Sequence, residues 1–370
     1  MEIPFAKPYF SPSARKEILV GIDKMLSSGR LMQGEFTEGF EANFASYIGT
    51  SKAVTTNSCT TALQISMMHY DVQGAEVLVP AASFLTDISS VRWAGGTPVL
   101  VDTDPATLSF DLDDLKRKLT PRTKGIIWVH LTGLISPAWR EIVAFAREHS
   151  LFLIEDCAHA HGASVSGIKA GSLGDVGCFS FYPTKVMTTG TGGILTTNDP
   201  ALEKTARELR LYGREGGVGS VVREGNDWFM DEVRACLGYY QLQELDSALV
   251  RRREIAERYD QELAGIPRLK FLSIPKNHLP AWYHYTVFVD PEINYERLAK
   301  NLKEIHGIPT KPIYLPLHQE KIFREFDDGS LGKTETTLNR SLCLPLFVEM
   351  DNAQVDQVVQ ALRTELMSVK

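Results

Sequence analysis

Two residues twenty-nine positions apart, Asp156 and Lys185, have types and surroundings that could do chemistry together. Lys185 follows the aromatic run Phe179–Tyr182 (FSFY) and precedes a Thr/Gly stretch, Thr188–Gly193. The run predicts a short buried strand ended by Pro183. A lysine delivered by such an element sits in partly desolvated surroundings. There the ammonium form is disfavoured, and a neutral, nucleophilic amine is accessible near neutral pH. The Thr/Gly stretch lets backbone come close to whatever that amine holds. Upstream, Leu151–Asp156 (LFLIED) predicts a parallel strand with Glu155 and Asp156 at its carboxyl end, where ligands bind in open α/β sheets.

Taken singly, each residue has an ordinary explanation: a lysine snorkelling to solvent, and a carboxylate ending a strand. The pair suits pyridoxal 5'-phosphate. The lysine forms the Schiff base, and the aspartate keeps the pyridine nitrogen protonated so that the ring serves as an electron sink. Such a cofactor needs a phosphate site. Lys52–Thr56 predicts a strand, and NSCTTAL follows it into a helix. Small hydroxylated residues at that junction offer free N–H groups and a favourable dipole, so Ser58, Cys59, Thr60 and Thr61 are candidate phosphate binders, with plain N-capping as the simpler use. Phe84, just past VPAAS, can lie against a ring or fill the core.

Those residues need a frame, and the chain supplies one. It has 370 residues, 44% of them hydrophobic, enough for a large core split between two domains. Strands at 76–80, 97–102 and 125–131 alternate with helices at 86–94, 112–119 and 138–149, so a largely parallel sheet covered by helices is expected. Helices are also predicted at 11–28 and 36–47. From 199 to about 246 the chain reads as helical, interrupted by the Gly-rich, charged loop 212–226, which is expected to be mobile or ordered by a partner. A long helix from 232 to about 263 crosses into a different region. There, strands at 283–289 and 342–345 and helices at 295–306 and 352–367 indicate a small α+β unit. The division is thus a large domain, 1–246, and a C-terminal domain, 247–370.

A formal net charge of −7 and no long Lys/Arg run argue against nucleic acid as a partner. No stretch of eighteen apolar residues exists to span a membrane, and the N-terminus lacks the charged and apolar regions of a secretion signal. Five cysteines without framework or metal-ligand spacing fit a reducing cytoplasm, no disulfide scaffold and no metal.

Several motifs in order then carry a resemblance. SGRLMQGEFTEGFEANFASYIGT, NSCTTAL, VPAASFLTDISSV, EDCAHAHGA, GSLGDVGCFSFYPTKVM, EVRACLGYYQLQELD and IYLPLH together resemble the DegT/DnrJ/EryC1/StrS sugar aminotransferases, within the fold-type I pyridoxal-phosphate enzymes. The likeness runs nearly end to end. It implies a homodimer with shared active sites, and amino transfer from glutamate or glutamine to a keto sugar, nucleotide-linked, by a ping-pong Schiff-base mechanism. By position, Lys185 would be the Schiff-base lysine and Asp156 the partner of the pyridine nitrogen. His159 stands where the family usually has Gln beside the ring hydroxyl. Ser180 and Thr60 would bind the phosphate with help from the Cys59 backbone, and Phe84 would stack on the ring.

The chain also departs from the pattern. Cys59 replaces a common Gly and Thr191 a frequent Glu. In GNDWFM (225–230), Asp227 stands where an Asn reaches the neighbouring subunit's phosphate, and Phe229 where Arg or Lys is common; Asn226 is the nearest substitute. Two other readings stay open. One is transamination of a cyclitol ketone (inosose), which AHAHG shares with some relatives. The other is a regulatory or dehydratase relative, although the dehydratases carry histidine where Lys185 stands.

Overall fold

The computed structural model describes residues 3–217 and 219–368. Its frame is a seven-stranded sheet: β1 (Lys52–Thr56), β2 (Glu76–Pro80), β3 (Thr97–Val101), β4 (Thr123–Val129), β5 (Phe152–Asp156), β6 (Val176–Ser180) and β7 (Gly193–Thr197). Their order across the sheet is β1-β7-β6-β5-β4-β2-β3. From β3 to β6 the pairings are parallel, whereas β7 runs antiparallel to both β6 and β1. The expected α/β class, a mostly parallel mixed sheet flanked by helices, is what the chain adopts.

Every residue of β2, β5 and β7 is buried, as expected of strands covered on both faces. One face packs under α1 (Pro12–Ser28), α2 (Glu35–Ile48), α5 (Leu112–Arg117), α6 (Trp139–Glu148) and the start of α8 (Glu232–Leu263), around Phe40, Phe44, Trp128 and Phe179. The other packs under α3 (Cys59–His69), α4 (Thr86–Trp93) and α7 (Pro200–Leu209), around Leu63, Ile65, Ile88 and Leu202. Strand alternation distributes neighbours between the faces: Leu153 and Phe179 join the first core, Ile154 and Cys178 the second.

A third core joins the end of α8 to the C-terminal elements, with Tyr259, Tyr285, Val287 and Leu362 fully buried. Here β8 (Leu269–Phe271), β9 (Tyr285–Val289) and β10 (Ser341–Leu344), the last entered from α10 (Gly332–Leu338), form an antiparallel sheet beside α9 (Tyr295–Glu304) and α11 (Asn352–Ser368).

Two details differ from the sequence reading. The FSFY run does not stay in the sheet: β6 ends at Ser180, Phe181 remains buried, and Tyr182 is exposed. Pro183 cannot donate to a ladder, so Lys185 lies in a turn, its N–H donating to the Tyr182 carbonyl (3.0 Å). β7, which the sequence reading does not anticipate, begins on the last glycine of the Thr/Gly stretch. The 212–226 loop is also anchored within its own chain. Tyr212 N–H donates to the Asn226 carbonyl, Asn226 N–H to that of Leu209, and Arg223 pairs with buried Glu208 (2.7 Å).

Candidate active site

At the carboxyl ends of the parallel strands lies a cavity of about 510 Å³. Asp156 reaches it from the end of β5, and Lys185 from the turn after β6. Thr60 and Cys59 belong to the first turn of α3, and Phe84 precedes α4. His159 and Ser180 complete the predicted set, so seven of the eight expected site residues meet here. Asn226 does not; it is exposed in the 212–226 loop, and its Oδ1 accepts from Asp227 N–H (2.8 Å).

The Lys185 amine lies 4.5 Å from the centre of the Tyr283 ring. Burial brings its pKa down to about 8, with Lys311 pushing the same way and Asp156 opposing. At neutral pH a useful fraction of the amine is therefore unprotonated. Asp156 is buried, and its carboxyl is pushed up by that burial; the N–H of Ala158, donating to Oδ1 at 2.8 Å, and the positive charge of Lys185 counteract the shift. Cys59 Sγ sits 3.9 Å from Asp156 Oδ1. Burial, then Asp156, holds that thiol neutral.

His159 is buried, and burial together with Lys185 keeps its ring neutral. Thr132 N–H donates to Nδ1 (3.3 Å), so Nε2 carries the hydrogen and donates to Tyr314 Oη (2.9 Å). The Tyr314 hydroxyl keeps its own proton available for the cavity. Tyr283 lies 4.1 Å from the His159 ring, centre to centre, and Phe84 lies 5.5 Å from Tyr314. Phe84 is 44% exposed, so it belongs to the cavity wall and not to the core.

At the other end, Ser58 caps α3 by accepting from Thr61 N–H, which leaves the first turn facing the cavity with Thr60. Gly193 makes this approach possible. A Cβ there would stand 2.3 Å from Ser58 C and 2.4 Å from Cys59 N, closer than any side chain tolerates.

Sequence reasoning missed the wall contributed from the C-terminal region: Tyr283, Lys311 and Tyr314. Of these, only Tyr314 belongs to one of the ordered motifs, IYLPLH. Buried Arg252 of α8 holds part of this wall by donating to the carbonyls of Trp282, Tyr283 and Leu346. Among the described residues, His130, Glu155 and Cys157 also come close enough together to share a metal. The Glu155 oxygens are already taken by the N–H groups of Gly171, Leu173 and Gly174 and by His130 Nε2. No described helix is long and apolar enough to cross a membrane.

Residues 12–363 match the DegT/DnrJ/EryC1/StrS aminotransferase family. The chain belongs to this family. It is 34% identical over 371 residues to the GDP-perosamine synthase of Caulobacter vibrioides, with 97% of each chain covered. To the dTDP-4-dehydro-2,3,6-trideoxy-D-glucose 4-aminotransferase of Saccharopolyspora spinosa it is 35% identical over 365 residues, covering 94% of this chain and 93% of that one. Its fold matches Spr1654 from Streptococcus pneumoniae, solved in a PLP-form, at a TM-score of 0.92 and 27% identity, with both chains fully covered. The chain is an aminotransferase, and the cavity at the strand ends is where its fold gathers amine, carboxylate and imidazole.

Proposed function

We propose that this aminotransferase binds pyridoxal 5'-phosphate in the cavity and moves an amino group from glutamate or glutamine to a nucleotide-linked keto sugar. One observation carries the proposal: a lysine whose amine is poised at about 8 shares a cavity with a buried carboxylate and a capped helix start. The donor set fits the group. The first turn of α3 and the Ser180 hydroxyl suit a phosphate, and the absent Cβ of Gly193 leaves room for that turn. The relatives named for GDP- and dTDP-sugars support the substrate class.

When bound, the cofactor supplies an electron sink for a carbanion next to nitrogen. Lys185 Nζ would be the amine that holds it and, when free, the base that carries the donor's α-proton. Asp156 would keep the ring nitrogen protonated. His159 and Tyr314 would serve the ring hydroxyl, and Phe84 would cover the ring. Because Lys185 serves both halves, the donor product leaves before the acceptor binds. Initial rates with glutamate and a nucleotide keto sugar should give parallel double-reciprocal lines. Intersecting lines, or no transfer to any nucleotide keto sugar, contradict the proposal.

We also propose a homodimer in the cytoplasm, with Asn226 directed at the neighbouring subunit's phosphate. The exposed position of Asn226, away from its own cavity, supports this. A fully active monomer in light scattering at micromolar concentration overturns it. The division at 246/247 belongs to the same proposal; it falls within α8, whose two halves join different cores.

A further inference from the structure

Asp87, in the first turn of α4, is fully buried and takes no part in the roles above. Its Oδ2 accepts from the Ser83 hydroxyl, while Oδ1 is buried with no ordinary donor against it among the described residues. What stands beside it is a second carboxyl, that of Asp156, close enough for the two to share a proton. Two carboxylates in contact inside a protein cannot both ionise, so one proton lies between them. The surroundings decide where it rests. Asp156 has the Ala158 N–H and the Lys185 charge to favour its anion. Cys59, Cys178 and Tyr314, which also feel the charge of Asp87, are themselves held neutral by burial.

We propose that Asp87 is a positioning residue: a carboxylic acid that donates its hydrogen from Oδ1 to Asp156, orienting that carboxylate and tempering its charge. The orphaned oxygen then has its partner. Resting on the pyridoxal-phosphate reading, this sets how firmly Asp156 keeps the ring nitrogen protonated. A bare aspartate would hold that proton more tightly; one that already accepts a hydrogen bond holds it less so, and Asp87 fixes the balance.

Two measurements test it. In cofactor-free protein at neutral pH, the infrared difference between wild type and Asp87→Asn should contain a carboxylic-acid C=O band that shifts in heavy water. Absence of that band, or its persistence in D87N, overturns the proposal. With 15N-labelled pyridoxal phosphate bound, the pH at which the ring nitrogen loses its proton should rise by about one unit in Asp87→Leu, which cannot donate. It should stay near wild type in Asp87→Asn, whose amide still can. Equal midpoints in all three proteins overturn the positioning role. A protein that takes up no cofactor sinks the proposed function alone, because the infrared band still decides the acid pair.

Discussion

Glu155 and Asp156 leave β5 on opposite faces of the sheet. Glu155 is fully buried and accepts hydrogen bonds from the N–H groups of Gly171, Leu173 and Gly174 and from His130, so it shapes the turn leading into β6. Asp156, one residue on, lines the cavity. Adjacent acids with the same charge thus carry separate duties because a strand alternates its side chains.

Charge-removing substitutions should separate these duties. Asp156→Asn is expected to slow amino transfer by roughly a thousandfold, equivalent to about 4 kcal/mol at the transition state, with no loss of stability. Glu155→Gln should instead cost about 1–3 kcal/mol in urea unfolding, since three N–H groups lose a charged acceptor, while cofactor affinity stays within about twofold. Equal effects of the two changes on activity would show that the sheet does not divide them in this way.

Lys185 gives a pH-dependent stability of definite sign. Its amine titrates at about 8 in the fold, against about 10.4 for an unperturbed lysine. Between those values the unfolded chain binds more protons than the folded one, so stability rises with pH across the window. Below pH 8 the full cost of the buried charge is present. Lys185→Met should therefore stabilise the cofactor-free protein by about 1–3 kcal/mol at pH 7, with the difference fading between pH 8 and 10. Denaturation curves at these pH values check it; a constant difference would mean that the amine is not desolvated.

Gly193→Ala should damage the phosphate end without touching any charged residue. The added methyl would meet the Ser58 and Cys59 backbone and push the start of α3 away from β7. Cofactor affinity should fall by roughly 10–100-fold, or about 1.4–2.8 kcal/mol. Titration of the cofactor-free protein with pyridoxal phosphate measures this. Unchanged affinity would place the phosphate elsewhere.

The sequence showed the βα frame, the cavity's Lys185, Asp156, His159 and the α3 start because each lies within or beside a local pattern. Strand periodicity, hydroxyl-rich caps and ordered motifs are all short-range properties. It did not show β7: the run GILTT is too short to stand out after a Thr/Gly stretch, and only its ladder with β6 and β1 makes it a strand. Tyr283 and Lys311 come from more than a hundred residues beyond Asp156, and nothing local marks them as cavity walls. Asp87 looks in sequence like an ordinary acid in a helix's first turn. Its contact with Asp156 exists only after folding.

Everything proposed for the site rests on Lys185 as the amine that holds the cofactor. Borohydride reduction of the enzyme loaded with pyridoxal phosphate, followed by peptide mapping, tests it most directly. A single stable label is expected on the peptide carrying Lys185, absent from Lys185→Ala. A label on Lys311 or any other lysine, or none at all in protein that binds the cofactor, would contradict it.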